Sequence, residues 1–318
     1  MPSSSASAPG KIILFGEHAV VYGQPAIAIP VDQVRATATT TDNTLGIVRI
    51  IAPDINLQCN LDQLDTNNPL FIVIDGVKNL NRTNILPACD IHITSTIPIA
   101  SGMGSGAAVS VAVIRSLSSF LGLSLSDDAI SALAFEAEKR YHGSPSGIDN
   151  TVISYNKPVY FVRGEQPVIF LPKISLQLVI ASTGIESPTI SVVQDVRARW
   201  QEKPDEYNAL FEKIGEICKT AYSILREEGC DITTLGLLMT QNHRLLQQID
   251  VSCPELDSMV SAALNAGALG AKLSGAGRGG NLIALVPPEG VSNIVEALRK
   301  TGAKNIICSQ FSSHSVAG

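Results

Sequence analysis

The sequence has no apolar run approaching the ~18 residues that a membrane-crossing helix needs. It has no Lys/Arg-rich run either, and 29 acidic residues outnumber 23 basic ones, for a net charge of −6. A nucleic-acid partner would favour a basic face, so that class is disfavoured, and any phosphate site must be built locally from a few cations and backbone N–H groups. Met1 to Pro9 is small and polar, without the cationic and apolar regions of a signal peptide. It reads as a short frayed end, and the compartment as cytoplasm. None of the six cysteines (Cys59, Cys89, Cys218, Cys230, Cys253, Cys308) forms a C-x-x-C pair or a zinc-like cluster. Reduced, mostly buried thiols are expected. Charged residues are only 16% while 45% are hydrophobic, which excludes extensive disorder and supplies a sizeable core. At 318 residues the chain sits at the upper limit for one core, so two lobes are expected.

Periodicity gives a mixed order of elements. Lys11 to Phe15, Ala26 to Val31 and Val34 to Thr41 read as strands, the last alternating and Thr-rich. Asn60 to Asn68 reads as loop, and Leu70 to Asn79 is ambiguous between strand and helix. Asp90 to Pro98 alternates as a strand that Pro98 stops. Ala107 to Leu121 is apolar nearly all round and reads as a buried helix. The next helix starts near Ser126, carries Ile130, Leu133, Ala134, Ala137 and Tyr141 on one stripe, and ends at Gly143. Strands are expected at Val159–Val162, Val168–Leu171, Leu176–Ala181, Leu282–Val286 and Ala303–Phe311. Helices are expected at Glu206–Glu228, Ile232–Gln248, Leu256–Ala266 and Val291–Lys300. The order predicts two mixed α+β lobes, 1–172 and 173–318.

Three glycine-bearing segments stand out. The first, Ala8-Pro-Gly-Lys11-Ile-Ile-Leu-Phe-Gly16-Glu17-His18-Ala-Val-Val-Tyr-Gly23, puts a lysine at the start of an apolar strand and an acid and a histidine just past its end. Taken alone, these three read as well as solvated surface. The second, Pro98-Ile-Ala-Ser101-Gly102-Met103-Gly104-Ser105-Gly106-Ala107-Ala108, links a strand to a buried helix. Glycines there let backbone approach a phosphate, and the helix N-terminus aims free N–H groups at it. The same glycines also suit a tight structural turn. This segment carries neither G-x-x-x-x-G-K-[ST] nor a clean G-x-G-x-x-G, which disfavours a P-loop NTPase or a Rossmann dehydrogenase. The third, Lys272-Leu-Ser-Gly275-Ala276-Gly277-Arg278-Gly-Gly280-Asn281, is too glycine-rich to continue as helix or ordinary strand. Between them lies Glu138-Lys-Arg-Tyr-His142-Gly-Ser-Pro-Ser-Gly-Ile-Asp149-Asn150. Glu138 falls about 40° from Ala134 on the helix, at the edge of the apolar stripe. There it is either a Mg²⁺ ligand or half of a surface ion pair. Asp149 follows a turn, where an Asp is commonly an Asx cap.

In this order and spacing, the three segments resemble the signature motifs of the GHMP kinases, named for galacto-, homoserine, mevalonate and phosphomevalonate kinases. The first motif, His142 to Asn150, Thr183-Gly184, and Asn242-His243 leading to Val251-Ser252 are similar to the mevalonate-phosphorylating branch. The resemblance spans nearly the whole chain. It implies a two-lobed fold with the active site in the cleft between lobes. It also implies transfer of the γ-phosphoryl of ATP to the terminal hydroxyl of (R)-mevalonate, with Mg²⁺, a step of isoprenoid biosynthesis. Asp149 matches the catalytic residue that takes or orients the hydroxyl proton, and Lys11 the lysine whose ammonium eases its loss. Glu138 matches the metal ligand, helped by Ser105. Pro98, Ser101, Gly102, Met103, Gly104, Ser105, Gly106 and Ala107 match the ATP-binding loop. Gly275, Ala276 and Gly277 line the phosphates, and Glu17, His18 and Thr183 face the substrate.

Three positions depart from the family pattern. Gly106 stands where a hydroxyl is expected, Arg278 where many members have glycine, and Asn281 where many have cysteine. Another GHMP kinase would share the ATP loop but replace the substrate-side residues, and a non-catalytic relative would lose Asp149, Lys11 or Glu138. Partners are mevalonate and ATP, with no nucleic acid and no membrane, and a homodimer is the default assembly.

Overall fold

The computed structural model describes residues 3–81, 83–98, 101–142, 145–187, 189–229 and 231–311. The Gly143 helix stop, Ser144, Ile99, Ala100 and Cys230 lie outside them. The chain divides into two compact units: residues 1–11, 30–99 and 104–156, and residues 12–29, 100–103 and 157–318.

The first unit is a sheet with helices. Its strands come from β1 (Ser3–Phe15), β2 (Ala26–Asp42), β3 (Val48–Ala52), β4 (Leu57–Asn60) and, after helix α1 (Pro69–Leu80), β5 (Cys89–Ser95). β1 pairs with β2, β2 with β5 antiparallel, β5 with β3 parallel, and β3 with β4 antiparallel. Two expectations are corrected here. The N-terminal segment is not frayed: it is strand from Ser3, because Ser5 and Ser7 meet Thr39 and Arg35 across β2 and Ser116 donates to the Ser4 carbonyl. β2 is one strand of 17 residues, not two, with Asp32 and Arg35 paired at its exposed middle. β3 and β4 escaped the sequence pattern.

The ambiguous segment is helix α1. Asn68 caps it by accepting from Leu70 N at 2.9 Å, Pro69 suits its first turn, and Leu70, Val73, Ile74 and Val77 are buried at helical spacing. Helix α2 (Ser105–Phe120) is buried along most of its length. Helix α3 (Asp127–His142) and the short α4 (Ile148–Tyr155) follow. The Asn150 amide donates to Ser131 O and Oγ at 3.2 and 2.9 Å, tying α4 to α3.

In the second unit β6 (Val159–Phe161) pairs with residues 26–28 of β2 and with β7 (Val168–Ile169). A four-stranded antiparallel sheet then runs β11 (Asn305–Phe311), β8 (Leu176–Ser182), β10 (Asn281–Leu285), β9 (Gly270–Ser274). The helices are α5 (Thr189–Glu202), α6 (Pro204–Arg226), α7 (Ile232–Gln248), α8 (Pro254–Asn265) and α9 (Val291–Lys300). Their apolar faces meet the sheet in one core that includes Phe211, Leu246, Met259, Leu273, Leu282 and Leu298. α7 lies so close to β9 that a side chain on Gly236 or Gly270 would strike the other segment's backbone. α5 and β9 were not foreseen. Among the described residues no helix is long and apolar enough to cross a membrane. All five described cysteines are free. Only Cys89 and Cys218 are buried, so the expectation of mostly buried thiols is corrected.

Candidate active site

In the first unit, Lys11 reaches Asp149. Its ammonium sits 3.1 Å from Asp149 Oδ1, with the lysine 4% exposed and the aspartate 28%. Asp149 is not a turn cap. It lies in the first turn of α4, whose N-cap Gly147 takes a left-handed φ of 90°, so the carboxylate stands at the positive end of the helix dipole. Glu138, on α3, is close enough to feel both charges. Burial pushes its carboxyl up to about 8, the Asp149 charge adds to that, and Lys11 opposes it. A surface ion pair is therefore the wrong description of Glu138.

The second-motif loop closes on the same pair. Gly104 has φ 71°, and a Cβ there would lie 2.8 Å from Ile153 Cδ1, 3.1 Å from Lys11 Cγ and 3.4 Å from Asp149 Oδ2. Only glycine lets this backbone pass so near. Ser105, Gly106 and Ala107 then form the first turn of α2, whose N–H groups have no carbonyl partner within the helix. Gly106 faces open space: a Cβ there would meet nothing within 4 Å. Among the described residues no group of three or more His, Cys, Asp or Glu is gathered for a metal. Mg²⁺ needs no such cage, since it takes one or two carboxylates and fills the rest with water and phosphate. Glu138, held beside a second carboxylate and reluctant to carry charge alone, suits that kind of ion.

In the second unit, Glu17 and His18 are buried, which removes the solvated-surface reading. The Lys272 ammonium donates to Glu17 and, at 2.6 Å, to the Leu273 carbonyl. Burial lowers the lysine's pKa and Glu17 opposes that shift. His18 adopts φ 60° and hydrogen-bonds the Ala276 carbonyl at 2.9 Å. Burial pushes its imidazole down to about 4, so the ring is neutral at pH 7. A carbonyl only accepts, so Nε2 carries the proton and Nδ1 is left as an acceptor.

The loop that carries Ala276 is braced on several sides. Ser274 Oγ accepts from Ile13 N at 3.1 Å and donates to Ile13 O at 3.0 Å. The Asn281 amide donates to Ser101 O at 2.5 Å, and a Cβ on Gly275 would lie 3.8 Å from Gly102 O. The second-motif residues Ser101 and Gly102 thus sit against the third motif. Met103 is buried beside them in sequence, and Pro98 is half-buried. Thr183 donates from both N and Oγ1 to the Gly280 carbonyl, at 2.9 and 3.1 Å, and Ser187 donates to Gly277 O at 2.5 Å.

Two domain profiles match the chain: GHMP kinases N terminal domain over residues 72–157, and GHMP kinases C terminal over residues 225–304. The mevalonate kinase of Pyrococcus horikoshii is 38% identical over 299 residues, which is 89% of this chain and 88% of that one.

The chain belongs to the mevalonate kinase family of GHMP kinases.

It has the two-domain α+β fold of that family and is an ATP-dependent phosphotransferase. The crystal structure of L. major mevalonate kinase in complex with R-mevalonate superposes with a TM-score of 0.82 at 31% identity, covering 97% of this chain and 95% of that one. Methanococcus jannaschii mevalonate kinase superposes at 0.84 with 28% identity, covering 97% and 98%.

Sequence reasoning did not foresee what supports these residues in the kinase. Lys272 was visible only as a letter in the third motif, and its partner Glu17 lies 255 residues away. Asn242, fully buried on α7, accepts from Gly16 N at 3.5 Å and so holds the turn before Glu17. His243 accepts from Leu273 N at 3.4 Å through Nδ1 and donates to Asp257 at 3.1 Å through Nε2. Its pKa is pushed down to about 4 by burial, against the pull of Asp257. The signal was present: an Asn-His pair on the apolar face of a helix asks for buried partners.

Proposed function

We propose that this kinase transfers the γ-phosphoryl group of ATP to the terminal hydroxyl of (R)-mevalonate, giving 5-phosphomevalonate and ADP in the cytoplasm. The observation that carries the reading is the Lys11–Asp149 pair, 3.1 Å apart, with the Gly104 backbone pressed against it. A carboxylate beside an ammonium, at the mouth of a helix whose glycine loop admits phosphate, is an arrangement for removing a hydroxyl proton as phosphate arrives.

In this reading Asp149 accepts or orients the proton of the attacking hydroxyl. Lys11 steadies the negative charge that builds on the oxygen. Pro98, Ser101, Gly102, Met103, Gly104, Ser105, Gly106 and Ala107 cradle the ATP phosphates, and Gly275, Ala276 and Gly277 line them from the third motif. Glu138 and Ser105 would hold Mg²⁺, which when bound offsets phosphate charge. His18 uses Nε2 on Ala276, so its Nδ1 accepts from a mevalonate hydroxyl. Glu17 and Thr183 shape the mevalonate side through Lys272 and Gly280.

The test is ADP release from Mg-ATP with (R)-mevalonate, 5-phosphomevalonate, homoserine and galactose, with NMR to locate the new phosphate. The expected result is release with mevalonate alone and phosphate on the terminal oxygen. Phosphate on the tertiary oxygen, or turnover of another alcohol, would replace the substrate. ATP binding with no release from any of the four would overturn the catalytic reading.

A further inference from the structure

Arg278 is the one non-glycine residue with a left-handed φ (53°) in the third-motif loop Gly275–Gly280. A cation in a phosphate-side loop invites the expectation that it points at phosphate, yet its guanidinium is committed elsewhere. Nη1 lies 2.5 Å from Asp195 Oδ2 on α5, and Nη2 lies 3.6 Å from Asp250 Oδ2 in the α7–α8 turn. Nε donates to the Asp250 carbonyl at 3.2 Å, and the Arg278 N–H donates to Val251 O at 2.8 Å. Arg199 of α5 also pairs with Asp250, so the ion pairs run in a chain Asp195–Arg278–Asp250–Arg199. Asp250 itself has φ 60°, and a Cβ on Gly277 would overlap Val251 O. The loop therefore rests on that turn, while Thr183 and Ser187 donate to its Gly280 and Gly277 carbonyls and its Gly280 N donates to the Ile185 carbonyl.

We propose that Arg278 is a positioning residue: by gripping Asp195 and Asp250 it fixes the third-motif loop against the Thr183–Ser187 segment before substrate arrives. This rests on the mevalonate kinase reading above. Two loops already in their bound arrangement need less ordering on binding, so the benefit falls on substrate affinity and not on the chemical step. The ion pairs are partly exposed, with side-chain exposures of 29% for Arg278, 53% for Asp195 and 65% for Asp250. Salt screens such pairs, so the positioning weakens as ionic strength rises.

The test compares Arg278→Gly, Arg278→Lys, Asp195→Asn and the double variant Arg278→Gly/Asp195→Asn with the parent enzyme. Glycine suits a φ of 53°, so the first variant keeps the backbone. KM for mevalonate is expected to rise about three- to tenfold in both single variants that break the grip, with kcat within about twofold. The double variant should add little, since both changes remove one interaction. The parent's KM should climb with salt towards the glycine variant, whose KM stays flat. Lysine, lacking the planar fork, should restore only part of the affinity.

A rise in KM for ATP with Arg278→Gly and none with Asp195→Asn would make Arg278 a phosphate cation and overturn the proposal. A lower melting temperature with every KM unchanged would reduce it to a structural tie and overturn it too. If the parent enzyme does not phosphorylate mevalonate, the functional reading fails separately. Amide hydrogen exchange at Thr183–Ser187 and Gly275–Gly280 then decides: faster exchange in both single variants supports the grip, and unchanged exchange overturns it.

Discussion

The ammonium of Lys272 meets the carboxylate of Glu17 where neither side chain reaches solvent. The pair joins the turn after β1 to strand β9, and the lysine also donates to Leu273 O at 2.6 Å. Removing one partner of a buried pair strands the other charge. Lys272→Met should therefore destabilise the protein by about 3–5 kcal/mol in urea unfolding. Glu17→Gln in the same background should recover part of that loss. A cost below about 1 kcal/mol for the single change would mean that the pair holds little together.

Asp149→Asn keeps shape and hydrogen-bonding reach but removes the carboxylate proposed to accept the hydroxyl proton. It should leave the melting temperature and ATP affinity near the parent's and lower kcat by about 10²–10⁴-fold. Near-parental turnover would remove Asp149 from the chemistry.

Gly104→Ala tests the close approach of the loop to the Lys11–Asp149 pair. The new methyl would meet Ile153 and Lys11 at 2.8 and 3.1 Å, in a left-handed conformation. The backbone cost alone is about 1–2 kcal/mol. The larger effect is expected on kcat, down by about tenfold or more, because the Lys11 stem must give way beside Asp149. An unchanged kcat in single-turnover measurements would show that the contact does not set the pair's geometry.

The buried histidines contribute to the loss of stability in acid. His18 and His243 both titrate near 4 in the folded protein, below the usual 6.5 of an unfolded chain. The unfolded state takes up protons first, so their contribution is present above pH 6.5 and is lost as pH falls through 4, on the order of a few kcal/mol for each. Glu138 acts in the opposite sense: its raised pKa costs stability as pH rises from about 4.5 to 8. Comparing variant with parent isolates the histidine. His243→Gln should flatten the fall of unfolding free energy between pH 6.5 and 4, and an unchanged slope would contradict the assignment.

Much of this was legible because glycine and proline leave marks that packing does not erase. The three motifs follow from turn chemistry and helix α7 from a wide apolar stripe, whereas the strand expected to run to Pro98 ends at Ser95. The α5 helix was missed because it buries only Val192 and Val196 among its side chains, too narrow a stripe to declare a period. The α4 helix, at eight residues, is shorter than a periodic window, and Asp149 was misplaced with it. Ser3 to Ser7 looked frayed since small polar residues carry no hydrophobic signal. Their order comes from Thr39, Arg35 and Ser116, which are remote in sequence. Within the candidate site the motifs named Lys11, Asp149, Glu138 and Gly104, which the fold brings close together. The supports (Lys272 for Glu17, Asn242 for Gly16, Asp195 for Arg278) depend on tertiary contact and left no local pattern.

The bond between Ile13 and Ser274 joins residues 261 apart. During synthesis at about 5–20 residues per second, the apolar run Ile12–Phe15 leaves the ribosome roughly 13–50 s before β9 exists to receive it. Folding of the second unit is thus timed by its last strands, however early its first ones are made. In the interval the Ile-Ile-Leu-Phe stretch is an uncovered strand, the kind of segment that chaperones shield and that pairs with other nascent chains when they do not.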